Sequence, residues 1–232
     1  MINILFSPRW FYGKDIMIDA VSVIVLAFIS YITFRYYKIN KNKKQHLSFS
    51  IATGLLALSF IFKIITNFTL YTFELHTKNF GLLTFTYQTV EASNTLFLVG
   101  TLLYRFLTLI GFYLLFSTYY NEKQKPVFLI MSYFIFVATY FASQAYYVFH
   151  LSAFLFLLFI VKKYFDNYKK TRDKPAKLIF ASFIIILISH AIFIFVELEH
   201  LLYVVAEITQ LLGYTMLLIS FITVLRYGKK KK

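Results

Sequence analysis

Asp19, Lys63, Arg105, His150, His190 and Glu207 fall inside long apolar runs of a 232-residue chain. An ionisable group in hydrocarbon costs roughly 2.5–3.5 kcal/mol on insertion scales, so each should face a protein interior and find a partner there. Their types limit the chemistry. Two acids and two bases can form buried ion pairs, or can hold an ion or a small polar ligand. Two histidines at similar depth, His150 and His190, can ligate a metal or a haem iron. Hydrolytic zinc chemistry needs a third ligand and a catalytic acid, for which Glu197 or Glu207 would have to be recruited. Neither HExxH nor a paired HxxxH spacing occurs. The absence of cysteine excludes disulfides, thiolate metal sites and cysteine nucleophiles. No catalytic residue is assigned, and an enzyme is not the expected reading.

Helical neighbours widen these points into faces. Ser59, Lys63 and Asn67 recur at four-residue spacing, as do residues of the set Tyr203, Glu207, Gln210 and Tyr214 at three or four. Thr101, Arg105 and Thr108 form a third face, and Asp15, Asp19 and Ser22 a fourth. His190 and Glu197 are two turns apart in the same run. The expectation is a polar, hydrated pocket lined by Asp19, Lys63, Asn67, Arg105, Glu207, Gln210 and Tyr214. The same charges would also serve as plain inter-helix fasteners, Lys63 with Asp19 and Arg105 with Glu207, with the histidines as hydrogen-bonded core residues.

The elements that must position them are membrane spans. A span takes about 20 mostly apolar residues, and the pattern predicts seven helices, at 15–37, 47–72, 94–119, 126–143, 145–165, 177–198 and 201–226. Hydrophobic residues make up 59% of the chain and charged ones 15%, outside the range of a soluble domain. Of 24 Lys and Arg, 19 lie in Arg35–Lys44, Lys123 and Lys125, Lys162–Lys177 and Arg226 with the tail Lys229–Lys232. With simple alternation all four clusters share one side, which the positive-inside rule makes the cytoplasm and which puts the N-terminus outside. The first apolar run, Ile16 to Ile32, is too long for a signal-peptide core and reads as an anchor inserted N-terminus first. The basic loops suit anionic lipid headgroups. The net charge of +14 therefore does not point to nucleic acid, which would need a folded reading module. Counted at ~1.5 Å per residue, Asp19 and His150 lie roughly 7 Å from the outer helix ends and Arg105 about 15 Å, with the other three between.

Between the second and third spans, residues 73–93 include the alternation Leu83, Phe85, Tyr87 after a Lys78-Asn79-Phe80-Gly81 turn. That pattern predicts a short extracellular β-hairpin or an irregular loop. The chain also shows signs of duplication. Arg35-Tyr36-Tyr37 and Lys163-Tyr164-Phe165 both close a helix before a basic loop. Arg105 and Glu207 each precede, after five residues, a Gly-aromatic pair, Gly111-Phe112 and Gly213-Tyr214. Helices one to three would then correspond to five to seven, with the fourth as linker.

Seven helices, an outward N-terminus and a three-plus-one-plus-three arrangement resemble the layout shared by microbial rhodopsins and SWEET-type sugar transporters. The outer hairpin would add to the similarity with rhodopsins. The resemblance is one of topology along the whole chain, not of motifs. Rhodopsins carry their retinal lysine in the last helix, where residues 201–225 hold none; the deep lysine here is Lys63. Retinal is therefore not expected, and the proline-glutamine signature of PQ-loop transporters is missing. The run from Glu207 through Gly213-Tyr214 to Arg226-Tyr227-Gly228 and the lysine tail resembles uncharacterised seven-helix proteins of small archaeal genomes, a resemblance that implies no activity. The composite expectation is an all-α integral membrane protein of a prokaryotic cytoplasmic membrane, binding or sensing a small ligand or ion in its outer half. Transport between two three-helix repeats is the alternative, opposed by only 3 Pro and 7 Gly and by apolar inner halves such as Ala153 to Val161. A haem- or metal-binding protein is the third reading. The sequence names neither ligand nor cofactor, and neither a signalling partner nor an oligomeric state.

Overall fold

Backbone N–H and C=O groups in hydrocarbon have no water to bond, so an apolar run must satisfy them internally, as a helix does. The computed structural model describes residues 7–11, 13–39, 44–76, 86–120, 125–142 and 145–230, with side chains throughout except at 9, 69–76, 86–94, 119–120, 125–126 and 225–230. These residues form seven α-helices: α1 (Lys14–Ile39), α2 (Lys44–His76), α3 (Thr86–Tyr120), α4 (Lys125–Phe141), α5 (Tyr146–Thr171), α6 (Lys174–Ile194) and α7 (Leu201–Lys230). A 3-10 turn at Arg9–Phe11 precedes them. Serine and threonine hydroxyls within the helices donate to carbonyls one turn back, as Thr33 does to Ile29 and Thr53 to Phe49. Polar side chains thereby enter apolar segments with their own hydrogen bonds made.

Six of the helices are long and apolar enough to cross a membrane; the exception is α4. Its 17 residues reach about 25 Å, short of the ~30 Å hydrocarbon core. The expected seventh span is thus present as a helix but below spanning length. Two further expectations need correction. The described residues contain no strand: α2 runs on to His76 and α3 begins at Thr86, so Thr86, Tyr87 and Gln88 are helical. Extending an existing helix adds one hydrogen bond per residue, whereas an isolated two-stranded hairpin is marginal. Leu83, Phe85 and the Lys78–Gly81 turn lie outside the described residues. Second, α6 ends at Ile194, so Glu197 sits exposed in the turn that follows rather than below His190 on one helix.

The helices close a ring. α1 packs on α2, α2 on α3, α3 on α5, α5 on α6, α6 on α7 and α7 on α1, while α4 lies against α3 and α5. The α5–α6 turn is set by Arg172 in the left-handed region (φ 52°), whose N–H donates to Tyr168 O, followed by Asp173 and the Pro175 that opens α6. Small residues govern the close approaches. Ser30 and Ser50 exchange hydroxyl-to-carbonyl bonds of 2.8 Å between α1 and α2. Gly111 faces Leu56 and the Ala52 carbonyl of α2, and Gly213 faces Ile186 and the Ser182 carbonyl of α6. A Cβ on Gly111 would lie 2.9 Å from Leu56, and one on Gly213 2.5 Å from Ile186. Close backbone approach at small residues is the usual means of helix association in lipid. Gly111→Leu and Gly213→Leu should each destabilise the fold by about 1–3 kcal/mol through overpacking. Thermal unfolding in detergent measures this, and unchanged melting of both variants would contradict the assigned contacts.

Candidate functional site

Three helices from the two ends of the chain deliver the principal cluster. Asp19 stands in the second turn of α1, Lys63 in the middle of α2 and Glu207 in the second turn of α7. Because α1 touches both α2 and α7, the long lysine stem can reach carboxylates on either side. Lys63 Nζ donates to Asp19 Oδ1 at 2.8 Å and to Glu207 Oε1 at 2.5 Å. The second oxygens, Asp19 Oδ2 and Glu207 Oε2, are buried and find no partner among the described residues. The ammonium also lies 5.5 Å from the ring centre of Phe60 and 5.8 Å from that of Tyr104. Asp19 is 0% exposed, Glu207 1% and Lys63 9%. The faces of α1, α2 and α7 converge onto a packed cluster in which both carboxylates are buried.

Other expected members occupy neighbouring positions. Asn67, one turn above Lys63, donates to Asp15 Oδ2 at 3.3 Å and clips the start of α1 to α2. Tyr214 is buried two turns along α7 from Glu207, edge-on to Phe60 at 5.6 Å, and its hydroxyl has no partner among the described residues. Gln210 belongs to a second group. Its Nε2 lies 3.4 Å from His190 Nε2, and His190 Nδ1 lies 3.2 Å from His150 Nδ1. The His150 ring stacks on Phe193 at 4.4 Å, and His150 Nε2 is buried without a partner among the described residues.

Arg105 departs from expectation. It does not pair with Glu207: its guanidinium donates to the carbonyl of Ala142, just beyond α4, and lies 5.6 Å and 6.0 Å from the rings of Tyr146 and Phe149. The chain turns between α4 and α5 there, and the last carbonyls of a helix have no intrahelical donor. A cation at a helix C-terminus also meets the negative end of the helix dipole. Sequence periodicity carries no signal for a backbone acceptor, which is why this partner was not foreseen. Tyr104, Phe60, Tyr146 and Phe149, the aromatic walls around both cations, were likewise indistinguishable from the many aromatics of the chain.

The histidine pair is a poor fit to the two axial positions of a haem iron. Ligands on opposite sides of a haem iron stand about 4 Å apart, twice a metal–nitrogen bond of ~2 Å, and the facing nitrogens are 3.2 Å apart. Among the described residues no group of three or more His, Cys, Asp or Glu is placed to hold a metal ion. The arrangement instead suits a shared hydrogen bond between neutral imidazoles, one donating Nδ1–H to the other.

Removing Lys63 strips two buried carboxylates of their donor, whereas removing all three charges leaves nothing uncompensated. Lys63→Met should lose about 3–5 kcal/mol. The triple variant Asp19→Leu, Lys63→Met, Glu207→Leu should recover most of that loss. Unfolding followed by circular dichroism in lipid would show the order; a triple variant weaker than the single one would refute it.

No protein-family model, curated protein or solved structure matches the chain, so what it does must be read from its own side chains.

Proposed function

We propose that the chain is a seven-helix membrane protein that binds or senses a small ion or polar ligand at the Asp19–Lys63–Glu207 cluster. The carrying observation is the surplus carboxylate. A fastener needs one acid for one base; here two buried acids share a single ammonium. Burying an extra charge opposes stability, so its retention favours a functional role, and the excess negative charge favours a cation. In this reading the N-terminus faces outward, the basic loops contact anionic lipid on the cytoplasmic side of a prokaryotic membrane, and α4 completes a layout resembling microbial rhodopsins and SWEET-type proteins. Any signal would pass to a partner or a second copy.

The test is a melting panel on purified protein across pH, inorganic cations and small organic cations. Wild type should shift with at least one addition, and the double variant Asp19→Asn, Glu207→Gln should not. If no addition moves the wild type, the proposal fails.

Transport is the second reading, and the glycine contacts favour it. Ala52 and Leu56 stand to Gly111 as Ser182 and Ile186 stand to Gly213: one turn apart, a carbonyl from the first and a side chain from the second. The ring supports the same pairing, since α7–α1 corresponds to α3–α5. Two equivalent three-helix halves are a common basis for alternating access. Proteoliposomes should then accumulate a cation above protein-free controls; equality across monovalent and divalent cations would rule transport out.

A further inference from the structure

We infer that the bound ion is a proton, held in common by Asp19 and Glu207. This rests on the ion-binding reading and narrows it to one species.

Lys63 neutralises one of the two carboxylates and leaves the other as a net negative charge inside the bundle. Each acid spends one oxygen on Lys63, while Asp19 Oδ2 and Glu207 Oε2 receive no donor from the described residues. A hard metal cation needs several oxygen ligands and room for its own radius. Asp19 and Glu207 are buried, at 0% and 1% exposed, which leaves a hydrated metal ion little space beside them. A proton needs one lone pair and no room. Binding converts one carboxylate into a carboxylic acid; Lys63 stays an ammonium, paired with the remaining carboxylate, and the cluster becomes neutral. Lys63 is the slightly exposed member of the cluster, at 9%.

Among the described residues the surrounding groups supply no second positive charge to the pair. On α1, Asp15 lies one turn before Asp19 and adds negative charge, moderated by the bond from Asn67 of α2. From α3 come Tyr104, against Lys63, and Arg105, which is committed to Ala142 and to the α5 rings and makes no ion pair among the described residues. Tyr146 and His150 face inward from α5 and His190 from α6; the two histidines are engaged with each other. α7 adds Tyr203 and Tyr214. Both acids share the one Lys63 ammonium, so the proton is assigned to the pair rather than to either residue.

Infrared spectroscopy of the full chain in lipid at neutral pH tests this through the C=O stretch of protonated carboxyl groups, with exchange into D2O marking the labile proton. Wild type should show one such group. Asp19→Asn removes one partner and leaves a balanced Lys63–Glu207 pair; Glu207→Gln does the reverse. Both variants should therefore lose the band. Lys63→Met should double it, and if that variant does not fold, the two conservative ones decide the matter. A wild-type band that is missing, or that survives both substitutions, overturns the proton. If the band is missing while a metal or organic cation still shifts wild-type melting and not that of the double variant, the ion-binding reading stands with a different ion. If neither signal is present, both readings fall.

Discussion

Lys63 lies within ion-pair distance of both Asp19 and Glu207, so one side chain ties together the buried charges of α1, α2 and α7. Without it two carboxylates would lie buried with no cationic donor, a condition that costs more than the hydrogen bonds alone return. The helices concerned come from opposite ends of the chain, and their contact is what closes the ring. The other closing contact, α3 against α5, also has a buried cation beside it. Arg105 uses a backbone carbonyl and two aromatic faces where Lys63 uses carboxylates. Each of these two contacts, α1–α7 and α3–α5, is therefore marked by one positive charge, solved by different chemistry.

α7 joins the two polar groups. Glu207 reaches the lysine and Gln210, one turn on, reaches the histidine pair. A rotation or shift of α7 thus changes both at once. The histidines can adjust by exchanging which Nδ1 carries the hydrogen, since the bond between them works in either sense. The lysine cluster has no such freedom and responds to a change in charge only by moving or by gaining an ion.

How much of this was legible in the sequence follows from the kind of signal involved. Apolar runs between charged loops define helices because the bilayer enforces length and internal hydrogen bonding, and the six long helices lie where periodicity put them. Asp19, Lys63 and Glu207 stood out because charges in hydrocarbon are costly whatever their partners. Their pairing was less readable. Lys63–Asp19 was foreseen, Lys63–Glu207 was not, because a residue's depth says nothing of its rotation about the helix axis. Arg105 was given a carboxylate because sequence shows side chains and hides free carbonyls. The residues around Tyr87 looked extended because alternation over a few residues also occurs by chance on a helix. Composition overstates the length of α6 because apolar residues continue past its last hydrogen-bonded turn, through Phe195 and Val196.

The position of α4 has a consequence for the history of the chain. The ring closes through α3 and α5 without it, so α4 behaves as a tether laid along the outside of a finished assembly. Its outward aromatic side chains, Phe128, Tyr133, Phe136 and Tyr140 among them, answer to the solvent around them rather than to the charged centre. Its outward positions can be recomposed while the ring is kept, but its C-terminal end is tied to a buried charge by the bond from Arg105 to the Ala142 carbonyl, and Ile135 and Thr139 are buried. The outward face of the short helix is thus the part of the bundle least tied to its buried charges.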